Sequence, residues 1–519
     1  MSPRKPHKWV VAGTVLTGTI MAVLDSSIVN VALPDMSGSL GASIEEITWV
    51  VTGYILANVI IMPLIALVSA HLGRKRFYIG SVIAFTIASA LCGMARTLPL
   101  MVAFRIFQGI GGGVLIPMSQ AILRETFPRE EQGVAMGIYG VGVVLAPALG
   151  PTLGGWLTDQ YSWPWIFYVN VPIGIVCVFL IARFIEDPPY LVREKGRIDL
   201  SGLALMAIGL GALQLMLEKG QEKDWFESPM IVTLAVLSVL GLALFAWRDL
   251  RARHPAVELH LARDVSFSSA TFLSGILGMG LYGSLFILPV FLQRLLGYSA
   301  MDSGLALMPR SLAMAIVMPI SGRLYNRLGA RALVATGLAV SAYSFWLFSR
   351  LSLDVGVWDL FMPQVWQGVG FGLIFVALST AALATISKPK MTAAVGLYNV
   401  VRQVFGSVGI AVAATEVSAG TTRYHALLSE HVTLFDPATR SWLGGAAAAL
   451  VPRAPDAATA SRQALGLLDL EVHRQASVMA YNHAFFLVAV LFVLSVPLAF
   501  LLHSSSGAGD PDSSAALEP

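Results

Sequence analysis

Asp25, Arg105 and Gln108 are the residues from which a chemistry for this chain has to be built, because each is a polar or ionisable group set inside a long apolar run. Asp25 lies in MAVLDSSIVNVALP, within an apolar segment from about Trp9 to Leu33. At ~1.5 Å per residue such a segment crosses a bilayer core of ~30 Å. A centrally placed Asp costs roughly 2.5 to 3.5 kcal/mol to insert, so it faces a protein interior or a wet cavity rather than lipid. A desolvated carboxyl is a group that can bind and release a proton in the physiological range; the plainer reading is a carboxylate that only hydrogen-bonds neighbouring helices. Arg105 and Gln108 share one helix face, being three residues apart. Arg105 cannot shed its charge and needs an anion, a dipole or water inside a membrane. Asp25 is the candidate partner, and snorkelling towards the helix end is the alternative.

The remaining polar groups at membrane depth suit recognition better than reaction. Arg310 and Arg402 lie inside apolar runs, Asn399, Arg402 and Gln403 share a face, and Gln364 and Gln367 resemble them. All of these but Arg310, with Gln108, Asn30, Trp49, Tyr54, Asn58, Tyr282 and Phe286, form the candidate substrate cavity, each residue having helix packing as its other reading. Cys92 and Cys177 both fall in apolar runs and read as small packing groups. Gly109, Gly111, Gly112 and Gly113 belong to no phosphate-binding loop and read as helix-packing positions. No His, Cys or carboxylate cluster suggests a catalytic or metal site, so an enzyme is not expected, nor a nucleic-acid partner. The proton is the one cofactor-like species implied.

A membrane must position these groups. Of 519 residues, 56% are hydrophobic and 13% charged, with mean hydropathy +0.72, more apolar surface than a soluble core can bury. Fourteen apolar segments fall between residues 9 and 502, the tenth and eleventh at 303 to 320 and 332 to 349 and the last at 481 to 502. Alternate loops carry twenty-one Lys and Arg on one side and five on the other, which makes the first side cytoplasmic and places both termini there. Gly73 aligns with Gly329, each preceded seven residues earlier by a small residue, Ala66 or Gly322, and flanked by basic residues. This repeat divides the chain into a six-helix half at 1–184, an inserted helix pair with its linkers at 185–266, and a second six-helix half at 267–502. Duplicated halves around a midplane site are the architecture of secondary transporters. A long outer segment, 418–480, precedes the last helix, and the tail 503–519 has a disordered composition.

The fifth segment, GIYGVGVVLAPALGPTLGGWL, spaces Gly142, Ala146, Gly150 and Gly154 four apart, one smooth face for a close neighbour. Its Gly150, Pro151, Gly154 and Gly155 resemble the antiporter motif of the major facilitator superfamily. With LDSSIVNVALP, the R-x-x-Q-G of Arg105 to Gly109, WPWIFYVNVPIG, MPQVWQGVGFG and NVVRQVFGSVGIA, the chain resembles the fourteen-helix drug:proton antiporters of the EmrB/QacA type, and most nearly the EmrB branch. The resemblance implies an all-α major facilitator fold with 14 transmembrane helices, two six-helix halves plus two inserted central helices. It also implies proton-coupled export of hydrophobic or amphipathic toxic compounds by alternating access, with Asp25 and Arg105 as the proton-coupling pair. Export of one metabolite, such as a fatty acid or siderophore, is the alternative, and a sensor or scaffold is a further rival. By the same resemblance the protein sits in a bacterial inner membrane, and 418–480 meets a periplasmic adaptor that leads to an outer-membrane channel. One departure stands out: the family's loop G-x-x-x-D-R-x-G-R-[RK] appears as Ala66, Ala70, Gly73, Arg74 and Lys75, with Ala70 where the acid should be. That acid looks like part of a latch between the halves, so its loss puts the latch in doubt and leaves Arg74 and Lys75 to lipid phosphates or a helix C-terminus. The second copy keeps Gly322, Arg327 and Gly329.

Overall fold

The computed structural model describes residues 6–188, 199–252, 255 and 257–502; the tail expected to be disordered lies outside them. The apolar segments form α1 (Lys8–Leu40), α2 (Glu45–Leu72), α3 (Arg74–Gly93), α4 (Leu98–Thr126), α5 (Arg129–Gln160), α6 (Trp165–Phe184), α7 (Leu200–Lys219) and α8 (Pro229–Asp249). After α9 (Val265–Arg294), α10 and α11 follow as one run, Ala300–Phe348, divided at Gly329, whose φ of 74° breaks the helix. Then come α12 (Val357–Ala382), α13 (Met391–His431) and α14 (Ala457–Ser495). Among the described residues these fourteen long helices form one bundle. The tenth and eleventh segments are therefore joined by a single left-handed residue rather than by the loop expected between 320 and 332. Gly73 does the same work between α2 and α3 at φ 87°, a backbone that a side chain would strain.

Within the first half α1 packs on α4, α5 and α6, and α4 on α2 and α3. In the second, α10 and α11 pack on α12, and α9 and α14 on α13. One apolar cluster runs through both halves, with Phe345, Phe371 and Phe492 at its centre in the second. The hairpin α7/α8 is closed at one end by Asp199, which caps α7 at Gly202 N (3.0 Å) and pairs with Arg248 (2.7 Å). That pairing holds the Asp199 carboxyl well below its ordinary range. α8 turns Val236, Val239, Leu240 and Trp247 outwards, a face suited to lipid.

The outer segment corrects a sequence expectation. It is not a separate loop region but mostly a continuation of the spans: α13 runs on to His431 and α14 starts at Ala457, with a short helix Pro437–Leu450 between. Asp436 and Asp456 cap these two starts, and the backbone N–H groups they accept hold both carboxyls below their usual range.

Candidate functional site

Asp25 lies on α1 with 0% exposure, and each carboxylate oxygen has a donor. Oδ2 accepts from Arg105 Nη1 at 2.7 Å, while Oδ1 accepts from Gln108 Nε2 and from Asn170 Nδ2, both at 2.8 Å. The Arg105 head is itself satisfied: Nε donates to the Val50 carbonyl at 3.0 Å, Nη1 also to Gln108 Oε1 at 2.7 Å, and its plane lies 4.2 Å from the Tyr54 ring centroid. Asn170 continues to Ser89 Oγ at 3.1 Å, which donates to the Phe167 carbonyl at 2.9 Å. The cluster draws on five helices, α1 for the carboxylate, α4 and α6 for its donors and α2 and α3 behind those donors, with all of these polar side chains at 1% exposure or less. Such a pair lacks water to screen it and is held by its hydrogen bonds as much as by charge.

The antiporter-motif residues are part of how α1 is held. Pro151 has no N–H, so the Pro147 carbonyl one turn back loses its helical partner. Ser27 Oγ, two residues after Asp25, donates to that carbonyl at 3.0 Å. A Cβ on Gly150 would lie 1.9 Å from Ser27 Oγ, and one on Gly154 2.8 Å from Ile28 Cγ1. Gly155 has more room, its nearest neighbour Val31 lying 3.9 Å from a Cβ. The small-residue seam therefore packs α5 against α1 inside the first half, not against the other half.

The halves meet at the end that carries the Lys- and Arg-rich loops. Hydrogen bonds among the described residues join them directly: Arg74 to Thr392 Oγ1 (2.9 Å), Arg124 to the Thr380 carbonyl (2.7 Å), Asn326 to the Glu130 carbonyl (2.6 Å) and Asn399 to Gln120 Oε1 (2.7 Å). Gly133 and Gly322 touch so closely that a Cβ on Gly322 would be 2.2 Å from the Gly133 carbonyl oxygen. Arg74, 3% exposed, forms a bidentate pair with Glu125, so it faces protein rather than lipid. Glu125 supplies the acidic partner where Ala70 cannot. Lys75 reaches the Ala182 carbonyl at 2.6 Å, near the C-terminus of α6. Arg327 is exposed.

The candidate cavity residues scatter. Gln108 and Tyr54 belong to the Asp25 cluster, because both lie on the buried sides of α4 and α2. Trp49 packs under Lys219 of α7, 5.8 Å from its ring. Asn399 is at the seam between halves, where Arg402 donates to its Oδ1 at 2.6 Å. Gln367 accepts from Arg310 at 3.3 Å, and Gln364 is buried beside it on α12. Asn58, Tyr282 and Gln403 are half-buried, and Asn30 and Phe286 exposed. A groove of about 470 Å³ opens instead between α10 and α12, lined by Tyr298, Asp302, Leu305, Ala306, Pro309, Leu360 and Phe361. None of the expected residues lines it. Asn170, Ser89, Gln120, Glu125 and Ser27 take part here without having been picked out. WPWIFYVNVPIG did contain Asn170, and its lone amide in an apolar run was the available signal.

The sequence profile of the Major Facilitator Superfamily matches residues 15–410. The chain is a member of the major facilitator superfamily. Within it the chain is of the EmrB type. It is 33% identical to the fatty acid resistance protein FarB of Neisseria gonorrhoeae, over 96% of this chain and 97% of that one. It is also 33% identical to the multidrug export protein EmrB of Escherichia coli K12, over 95% and 94%. Among solved structures, the human organic anion transporter MFSD10 superposes with a TM-score of 0.62, covering 95% of this chain and 100% of that one. At 14% identity that likeness speaks for the fold alone. In this major facilitator chain the Asp25 cluster occupies the first half, and the contacts between the halves lie at one end of the bundle.

Proposed function

We propose that this chain exports hydrophobic or amphipathic toxic compounds from the cytoplasm in exchange for protons, by alternating access, and performs no catalysis of its own. The observation that carries the reading is Asp25, fully buried among Arg105, Gln108 and Asn170. Both carboxylate oxygens are engaged by donors, so a proton reaches Asp25 only when the helices carrying those donors shift. α4 and α6 supply all three of these donors, and a rocking half changes their spacing from α1. Protonation is then conditional on conformation, which is what coupling requires. The Lys and Arg bias makes the sealed end cytoplasmic, both termini being on that side of a bacterial inner membrane. In this state Asp25 is closed off from the cytoplasm. The carboxyl takes a proton from outside as substrate leaves, and releases it inside as the next substrate binds. Each charge crossing supplies ~2.3 kcal/mol per 100 mV and the pH gradient ~1.4 kcal/mol per unit.

The printed names of the relatives support export of toxic compounds: multidrug export for EmrB and colistin resistance for the Acinetobacter baumannii relative, 28% identical. Export of one acidic metabolite is the second reading. FarB's name favours it, as does Arg310, buried and held by Ser284 and Gln367 rather than by a carboxylate. Proteoliposomes exposed in turn to lipophilic cations, neutral amphiphiles and long-chain fatty acids decide between them. Proton movement with several classes supports the multidrug reading, movement with fatty acids alone supports the second, and movement with none contradicts both.

A further inference from the structure

The inserted hairpin carries a carboxyl that the coupling scheme does not use. Glu218, one residue from the end of α7, lies where that helix touches both halves of the molecule. Its Oε1 accepts from Thr52 Oγ1 of α2 at 2.7 Å. One turn earlier Gln214 Nε2 donates to Ser407 Oγ of α13 at 2.8 Å. Beyond the helix end Trp225 Nε1 donates to Thr415 Oγ1 of α13 at 2.8 Å, and Lys223 pairs with Glu45 at the start of α2 at 2.8 Å. The hairpin therefore bridges the halves at the end opposite to the Gly133–Gly322 contact.

The polar groups in this bridge do not balance as an anion. The Ser407 hydroxyl is directed to the Gln403 carbonyl at 3.3 Å, and its oxygen accepts from Gln214 Nε2 at 2.8 Å. Gln214 Oε1 and Glu218 Oε2 are then both buried acceptors that no donor reaches. The two side chains stand four residues apart on one face and interact. Two buried acceptors left without donors on neighbouring side chains are unfavourable, and one proton between them removes both faults. As a carboxylic acid, Glu218 donates through Oε2 to Gln214 Oε1 and still accepts from Thr52 through Oε1. The charged group acting on Glu218 is its neighbour Lys219, whose ammonium is engaged by Thr48 at 3.2 Å and Glu222 at 2.7 Å. On α2, Glu45 is paired with Lys223, and the α13 partners are the uncharged Ser407 and Thr415.

We propose that Glu218 is a second proton-binding carboxyl, protonated while the inserted hairpin bridges α2 and α13, and that the hairpin is a proton-dependent clamp between the halves. Loss of the proton sets two acceptors against each other and loosens α7 from Ser407. Nothing in this depends on Asp25 being the coupling group.

Infrared difference spectra of the full chain in liposomes, taken between about pH 5 and about pH 9 where a buried Glu titrates, test it. The wild type should show a carboxylic acid carbonyl band that disappears on raising the pH. That component should be absent from Glu218→Gln and present in Asp25→Asn. In Gln214→Leu it should shift towards a less hydrogen-bonded position, an answer that stands even if Glu218→Gln is poorly produced. A Glu218→Gln spectrum matching wild type, or an unmoved band in Gln214→Leu, overturns the proposal and leaves Glu218 ionised with the amide turned towards it.

Discussion

Asn170 shows how much of the Asp25 cluster rests on neutral groups. It donates to Asp25 Oδ1 and to Ser89, and a buried carboxylate that loses a donor is left with an uncompensated acceptor. Asn170→Leu should therefore destabilise the protein by about 1 to 3 kcal/mol and weaken the coupling of transport to protons, while Asn170→Asp should behave differently because it adds a like charge. Thermal melting and proton flux in liposomes check both; an Asn170→Leu variant with wild-type melting and flux would remove Asn170 from the site. Two opposite charges inside apolar runs made the Asp25 and Arg105 pairing legible, since neither tolerates lipid alone. The faces of Tyr54, Trp49 and Asn399 were not legible. An aromatic or amide in an apolar helix carries no mark of whether it points to a cavity, to Arg105 or to another half.

At the scale of elements, α5 does two things along its length. Near one end Gly133 meets Gly322 of the other half, and further along Gly150 and Gly154 meet α1. Gly150→Leu should push α1 off α5 against Ser27, at a cost of roughly 1 to 3 kcal/mol, and reduce transport by displacing Asp25. Normal melting and normal turnover in that variant would contradict the packing account. Gly322→Leu should act differently, holding the halves apart at the Lys- and Arg-rich end while each half stays folded. Spin labels at the exposed Arg129 and Arg323 should then report a longer distance than in wild type, and an unchanged distance would mean that this contact does not close the end. The four-residue period marked the seam from Gly142 to Gly154 in the sequence, but a smooth face does not name its partner, and nothing there singled out Gly133. The Gly73 and Gly329 repeat was legible for a similar reason: it fixed where helices turn and left the α10/α11 junction to be drawn as a loop, when one residue at φ 74° suffices.

For the whole molecule, the duplicated halves and the inserted pair could be read from spacing and loop charge, and the fourteen-helix architecture agrees with that reading. The bridge that α7 makes to both halves could not, because Thr52, Ser407 and Thr415 are ordinary hydroxyls in apolar helices. A deletion decides whether the extensions of α13 and α14, with the helix Pro437–Leu450 between them, receive an adaptor as the resemblance to EmrB-type exporters implies. Deleting 430–475 should leave transport in liposomes largely intact and abolish resistance in cells and co-purification with an adaptor. Loss of transport in both settings would make the extension part of the gate, and full resistance in cells would exclude a partner there. The most direct test of the central claim is proton-driven uphill transport by Asp25→Asn in liposomes with an imposed pH gradient. The amide preserves the shape of the site and cannot titrate, so the variant should melt near wild type, lose uphill transport and keep downhill exchange. Uphill transport at the wild-type rate would show that the coupling proton does not pass through Asp25.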